Sequence, residues 1–352
     1  MAFTKGRIGM GILSLTLLSM TPAALQAATV VYAGGTGTGH YSTVQAAVNA
    51  LPSAGGTVYV EPGTYKEQVT VNIANVSIIG LGTAPNSVNI EDDLNAQESN
   101  GSGGTLGDQG SSTIIVTSYA KNFYMSMVQV SNTWTQEGNA ETQAVALYIS
   151  ADRAVLRDVS VIGRQDTLYL GSYACGSTTC TPARQYLYDV YIEGNVDFIF
   201  GDGAAVLDHC TINIDEHGSA SGETTVTAQR KLYTNYLSGY VFYDSTIESA
   251  SSSMTNDYLG RPWGTYSTTI FINTVMTAPI ATAGWIEFTP GTTDNLPTSY
   301  YAEYGSTGVG ATGYLDKERE KYAVYLTSSQ ITQYEPDNFL AGSDGWVPTS
   351  VN

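Results

Sequence analysis

The sequence predicts an all-β chain wound as a parallel β-solenoid, and three observations carry that expectation. Long helical periodicity is absent, while short β-branched runs bounded by Gly, Asn, Asp and Ser recur, among them Thr57-Val58-Tyr59-Val60, Val76-Ser77-Ile78-Ile79 and Thr269-Ile270-Phe271-Ile272. Composition agrees: only 13% of the 352 residues are charged, whereas 37 Gly and 25 Tyr suit a chain of many turns and rings. Third, several runs share a register. Leu156-Arg157-Asp158-Val159-Ser160-Val161 returns as Leu187-Tyr188-Asp189-Val190-Tyr191-Ile192, as Leu207-Asp208-His209-Cys210-Thr211-Ile212 and as Phe242-Tyr243-Asp244-Ser245-Thr246-Ile247, at steps of 31, 20 and 35 residues. A β-sandwich also yields many short strands, but it gives no reason for a shared register. Degenerate repeats of this size fit coils stacked ~4.8 Å apart, with loops of varying length between them.

The N-terminal segment stands outside this pattern. Lys5 and Arg7 precede the apolar run Ile12-Leu13-Ser14-Leu15-Thr16-Leu17-Leu18, and small residues end at Ala27-Ala28. A basic head, a short apolar stretch and a small-residue end predict a secretory signal peptide over 1–27. The apolar run is too short to span a bilayer, which takes ~20 residues. Removing 27 of 352 residues leaves 325, and the loss of two positive charges takes the net charge from −18 to −20. No linker divides 28–352, so a single domain is expected there. Its acidity argues against nucleic acid or an anionic membrane as partner, because phosphate binding needs clustered Lys and Arg.

Three cysteines follow the signal segment: Cys175, Cys180 and Cys210. In an oxidising compartment a Cys175–Cys180 bridge is expected across the short Gly176-Ser177-Thr178-Thr179 loop. No His or further Cys stands at ligand spacing, which makes a metal site the weaker reading.

The shared register also says which side chains are neighbours. Asp166 follows Leu156 by ten residues and Asp197 follows Leu187 by ten, so the two aspartates are expected one above the other in successive coils. Gln143-Ala144-Val145 resembles Asp166-Thr167-Leu168 and Asp197-Phe198-Ile199, which predicts Gln143 one coil earlier in the same column. Two carboxylates this close force one pKa upward, a costly arrangement unless it serves chemistry. The step from Gln143 to Asp166 is 23 residues and from Asp166 to Asp197 is 31. The extra eight fall around Cys175 and Cys180, predicting an outward loop that walls a cleft.

At these residues the chain resembles a known family. Gly63-Thr64-Tyr65-Lys66-Glu67, Gln143-Ala144-Val145-Ala146-Leu147, Gln165-Asp166-Thr167-Leu168-Tyr169, Gly194-Asn195-Val196-Asp197-Phe198-Ile199-Phe200-Gly201 and Leu259-Gly260-Arg261-Pro262-Trp263 resemble, in order, the signature segments of pectin methylesterases (pectinesterases). The resemblance implies a right-handed parallel β-helix that hydrolyses galacturonate methyl esters in pectin, releasing methanol, with no cofactor and no metal. It implies Asp197 as nucleophile, Asp166 as general acid and then base, and Gln143 with Gln165 as oxyanion donors. Arg261 would pair with Asp197. Trp263, Tyr169, Phe200 and Trp285 are the expected groove residues. A secreted, extracellular monomer acting on a polysaccharide is implied, with neither nucleic acid nor membrane as partner.

Other charged residues read as structural. Asp158, Asp189, Asp208 and Asp244 suit turn caps, Tyr65 and Glu67 suit framework roles, and Asp92-Asp93 suits an exposed loop rather than a calcium site. His40, His209 and His217 fall in no catalytic or ligand pattern. Asn75-Val76-Ser77 and Asn100-Gly101-Ser102 are glycosylation sequons. The sequence departs from the family pattern at Arg164, at Gly201-Asp202-Gly203 and at Thr227-Ala228-Gln229-Arg230. A pectate lyase or polygalacturonase would need other catalytic sets. An esterase or thioesterase on another acyl substrate could use the same pair of aspartates, and a non-catalytic carbohydrate-binding solenoid would require neither.

Overall fold

The computed structural model describes residues 2, 29–135, 138–172, 180–215, 222–249 and 256–351. The predicted signal segment lies outside them apart from Ala2, as does Cys175 with the loop on which it sits. The chain forms a parallel β-helix. Among the described residues, three sheets of twelve, eight and seven strands run the length of the molecule, and their ladders are parallel throughout. Each coil gives one strand to each sheet in turn. Ala154–Arg157, Ser160–Ile162 and Leu168–Leu170 make one coil; Arg184–Tyr188, Tyr191–Gly194 and Val196–Gly201 make the next.

The repeat read from the sequence is the register of the twelve-stranded sheet. Leu156 pairs with Leu187, Leu187 with Leu207, and Leu207 with Phe242. The column extends through Val58, Ile78 and Met125 at one end and Phe271 at the other, all fully buried. A second column, Ile90, Val130, Val161, Ile192, Ile212, Ile247 and Met276, lines the eight-stranded sheet. Strand periodicity sends alternate side chains inward, and β-branched or aromatic residues at those positions stack on their equivalents one coil away. Each such burial contributes ~1.5–3 kcal/mol against exposure.

Both ends of the stack are closed. The helix Val44–Asn49 buries Val44, Ala47 and Val48, and its N-terminal amides at Val44 and Gln45 donate to the Glu67 carboxylate at 2.7 and 2.9 Å. Glu67 is therefore a framework residue. So is Tyr65, whose hydroxyl donates to the Ala33 and Glu61 carbonyls. At the far end Phe271 pairs with Glu303, whose carboxylate meets Arg319 at 2.7 Å with both side chains buried. Arg319 also donates to the Ala281 and Gly310 carbonyls, so the inward column ends on a satisfied polar plug.

The C-terminal segment covers the outer face of the twelve-stranded sheet. Leu326, Phe339 and Leu340 pack on Tyr186, Val206, Val241 and Ile270. Arg184 ties the segment down, bonding Asp152, Asp344 and the Leu340 and Ala341 carbonyls. Asp93 proves to be ion-paired with Lys66 at 2.9 Å, and Asp92 ends a strand rather than lying in a loop. Cys180 is disulfide-bonded, whereas Cys210 is free and buried.

Candidate active site

The site grows from the seven-stranded sheet. Asp166 and Asp197 are neighbours in successive coils, since the Asp166 amide donates to the Val196 carbonyl at 3.0 Å. Both adopt left-handed backbone, φ 60° and 51°, which Asp tolerates better than most residues. At Asp197 the strand register shifts between Val196 and Ile199, a bulge that turns the side chain out of the alternation. Gln143 stands one residue from its expected place. The Ala144 amide donates to the Gln165 carbonyl, which sets Ala144 beside Asp166 and Gln143 beside Gln165. The ladder then slips, because the Ala146 and Leu147 amides both donate to Thr167.

Two columns of opposite sense follow. Leu147, Leu168, Ile199, Thr227, Gly260 and Trp285 form the inward one. Tyr148, Tyr169, Phe200 and Ala228 form the outward one, continued by Arg261, whose amide donates to the Thr227 carbonyl. Arg261 reaches back along this face and grips Asp197 with two parallel bonds, Nε to Oδ1 and Nη2 to Oδ2, each 2.7 Å. Thr225 completes the hold: its hydroxyl donates to Asp197 Oδ1 at 2.7 Å and accepts the Asp197 amide at 2.8 Å. Bidentate guanidinium–carboxylate pairing fixes orientation as well as charge.

Among the described residues Asp166 has no such partner. Burial raises its carboxyl pKa well above the ordinary value, the neighbouring Asp197 charge and that of Asp108 raise it further, and Arg261 offsets part of the rise. The pair is thus polarised, with one carboxylate saturated by donors and the other favoured in its protonated form. Around them opens a cavity of about 210 Å³ lined by Asp108, Gln143, Gln165, Phe200, Ala228, Trp263 and Phe288 as well as the two aspartates and Arg261. The Gln143 side-chain oxygen accepts from Thr142 Oγ1 at 3.1 Å, an orientation that leaves its amide hydrogens free to donate. Among the described residues, no group of three or more His, Cys, Asp or Glu could hold a metal ion.

The pectinesterase family model matches residues 29–343. The chain belongs to the pectinesterase family. It is 33% identical to Pectinesterase 2 of Citrus sinensis over 322 residues, covering 89% of this chain but only 58% of that protein. The chain spans little more than half the length of the first curated relatives it matches. A pectinesterase of Daucus carota is 32% identical, with 90% of this chain and 93% of the relative covered. The solved structure of carrot pectin methylesterase superposes with a TM-score of 0.76 at 30% identity, covering 92% of this chain and 96% of that one. The chain shares with it the right-handed parallel β-helix.

Of the residues expected at the pectinesterase site, Asp166, Asp197, Gln143, Gln165, Arg261, Trp263 and Phe200 line one cavity. Tyr169 lies just behind it, stacked on Tyr148 at 4.1 Å between centroids and edge-on to Phe200 at 5.1 Å. Trp285 does not belong to the groove. It is 1% exposed and stacks on Tyr301 at 5.3 Å, because its bridge to Gly260 puts it at the end of the inward column. Asp108, on a short helical turn, and Phe288, on a loop, come to the cavity from segments remote in sequence, and no repeat or spacing marks them. Thr225 was legible in principle, one coil beyond Asp197 and flanked by β-branched residues.

The departures from family pattern have distinct places. Arg164 pairs with Asp215 at 3.3 Å and does not line the cavity. Asp202 accepts the Ser172 amide at 2.5 Å and the Tyr169 hydroxyl at 3.4 Å, bracing the aromatic column from below. Arg230 lies over the Trp263 ring at 5.2 Å, so a cation borders the groove. Cys180 lines a different cavity with Arg184, Tyr236 and Asp344, and the expected cleft wall around Cys175 lies outside the described residues.

Proposed function

We propose that this protein is a secreted, monomeric pectin methylesterase that hydrolyses galacturonate methyl esters through an aspartyl acyl-enzyme. The observation that carries the reading is the polarised carboxyl pair: Asp197 clamped by Arg261, and Asp166 one rung away with its pKa pushed up by burial. An Asp197 oxygen attacks the ester carbonyl carbon. The carbonyl electrons move to oxygen, where the side-chain amides of Gln143 and Gln165 donate to the developing oxyanion. As the tetrahedral adduct collapses, Asp166 gives its proton to the departing methoxy oxygen, and methanol leaves an Asp197 anhydride. Asp166, now a carboxylate, takes a proton from water as that water adds to the anhydride. Collapse expels the Asp197 carboxylate and leaves galacturonic acid, which releases its proton to solvent, while Asp166 keeps the proton it took from the water.

The groove chemistry supports a sugar substrate. Trp263, Phe200 and Phe288 present aromatic surface around the carboxyl pair, suited to the faces of pyranose rings. Secretion rests on the 1–27 signal segment, and no helix among the described residues is long and apolar enough to cross a membrane. The test incubates the mature protein with highly methylated pectin and follows methanol, unsaturated ends and reducing ends together. Methanol without chain cleavage is expected. Unsaturated or new reducing ends would replace the reading with a lyase or a glycosidase, and no reaction with pectin alongside turnover of other acyl esters would replace the substrate.

A further inference from the structure

The catalytic pair accounts for two of the three carboxyl groups in the cavity; the third, Asp108, takes no part in the mechanism. Its place is well defined. Gly107, at φ 65°, turns the chain into a short helical turn, and the Asp108 carbonyl accepts the hydroxyls of Ser111 and Ser112, both fully buried. Gln68 holds the Gly110 and Ser112 carbonyls, and Asn132 holds that of Ser111, so the turn is pinned to the coils beneath. With the backbone so engaged, the Asp108 side chain lines the cavity opposite no cation of its own. Among the described residues its carboxylate has no hydrogen-bond or ion-pair partner. The charged and titratable groups that face it are Asp166, Asp197 and Arg261, with Tyr148 nearby, and Arg261 is already committed to Asp197.

Burial raises the Asp108 carboxyl pKa from its ordinary value, so a half-buried, rigidly placed and unpaired carboxylate there is costly to keep charged, which makes its position in a substrate cavity informative. We propose that Asp108 sets the selectivity of the catalytic subsite for the neutral ester over the acid product, by presenting a fixed negative charge to whatever group occupies the reacting position. This inference rests on the pectin methylesterase reading above and extends it to product discrimination. The substrate's methyl ester carries no charge and tolerates Asp108. The product carries a carboxylate at the same place, and two like charges in a poorly solvated cavity repel, so the de-esterified unit is expelled and rebinds weakly. The device suits a polymer substrate, since each turnover leaves the acid form covalently attached beside the next ester.

Asp108→Asn keeps the shape and removes the charge. The ratio of the inhibition constant for a de-esterified galacturonate oligomer to the KM for the methylated oligomer is measured in parent and variant at one ionic strength. The ratio is expected to fall about tenfold, equivalent to ~1.4 kcal/mol. Asp108→Glu, which restores the charge, should recover most of it. Removing the Asp108 charge also lowers the Asp166 pKa, so the basic limb of the kcat profile should move to lower pH. An unchanged ratio with a uniform loss of kcat, or with a loss of melting temperature alone, would show Asp108 to be a framework residue and overturn the proposal. Methanol release by the parent is scored first, so that failure of the esterase reading is seen separately from failure of this one.

Discussion

Asp158, Asp189 and Asp244 carry the chain from the twelve-stranded sheet into the eight-stranded one with φ of 50°, 54° and 49°; Asp166 and Asp197 carry it into the seven-stranded sheet at 60° and 51°. Residue type and backbone are the same in both columns, and in both the left-handed turn explains why Asp is tolerated. What separates them is what the rest of the chain brings. The first three side chains are exposed, while Asp166 and Asp197 are 9% and 6% exposed. Among the described residues no guanidinium grips the first column, where Asn273 donates to Asp244 at 2.9 Å and the Arg157 charge only offsets part of the rise at Asp158; Arg261, 64 residues along the chain, is delivered to Asp197 by the outward face of the sheet. Even a raised pKa does not distinguish the columns by itself. Asp158 is also raised, by partial burial and then by the charge of Asp189. A buried cavity, a bidentate cation and a polarised partner together set the second column apart.

Substitutions to Asn put that contrast at risk. At Asp197 the change removes the attacking oxygen and leaves Arg261 without its carboxylate. Turnover of methylated pectin should fall at least ~10³-fold, read as methanol release on protein whose melting curve shows it folded. A variant retaining a tenth of parental activity would remove Asp197 from the nucleophile's role. At Asp166 the loss should be ~10²–10⁴-fold on methyl esters and much smaller on a phenyl ester, whose leaving group departs without a proton. Equal losses on both esters would mean that Asp166 does something other than protonate the leaving group.

The first column should hardly respond. Asp189→Asn keeps a residue that tolerates the turn and should change stability by less than ~0.5 kcal/mol and pectin turnover not at all. Asp189→Ala, forced into the same left-handed conformation without local side-chain hydrogen bonding, should cost ~1–2 kcal/mol in chemical denaturation. A large loss of activity in either variant would join the two columns and spoil the comparison.

The sequence made the coils legible because a solenoid repeats one demand, an apolar side chain at the same inward place, and Leu156, Leu187, Leu207 and Phe242 answer it in register. The aspartate pair was legible for the same reason. Sequence pattern misleads where the ladder is irregular or where a residue's side of the sheet decides its role. Gln143 stands one residue from the place its motif predicts because the ladder slips between Ala144 and Leu147. Trp285 looks like a groove aromatic by type, yet its bridge to Gly260 turns it inward, while Tyr169 and Phe200 sit one position along on the outward column. Asp208 has the type of a turn cap, but it pairs with Tyr188 at the end of a strand and accepts the Tyr186 hydroxyl at 2.7 Å; His209 takes the left-handed turn in that coil at φ 55°. Asp108 and Phe288 arrive from a helical turn and a loop between coils, segments whose lengths obey no repeat.

The finest difference between the columns is one of stability. Asp166 keeps its proton to a higher pH in the folded chain than in the unfolded chain, because burial and the Asp197 charge disfavour its carboxylate. Its contribution is therefore fully present below the unfolded carboxyl value of ~3.9. As pH rises from there towards the raised folded value, the unfolded chain releases a proton that the folded chain retains, and stability falls; above the folded value the deficit is constant. Asp166→Asn carries no charge at any pH and escapes this loss. Its melting temperature should match the parent's most closely near pH 4 and exceed it increasingly as pH rises, even while activity is lost. Exposed Asp244, which accepts from Asn273 outside the cavity, supplies the control substitution. A pH series of melting curves on the three proteins decides the matter. If the Asp166→Asn difference is flat with pH, or opens equally for Asp244→Asn, then Asp166 is not held protonated by its surroundings, and the polarised pair on which the proposed mechanism depends is not there.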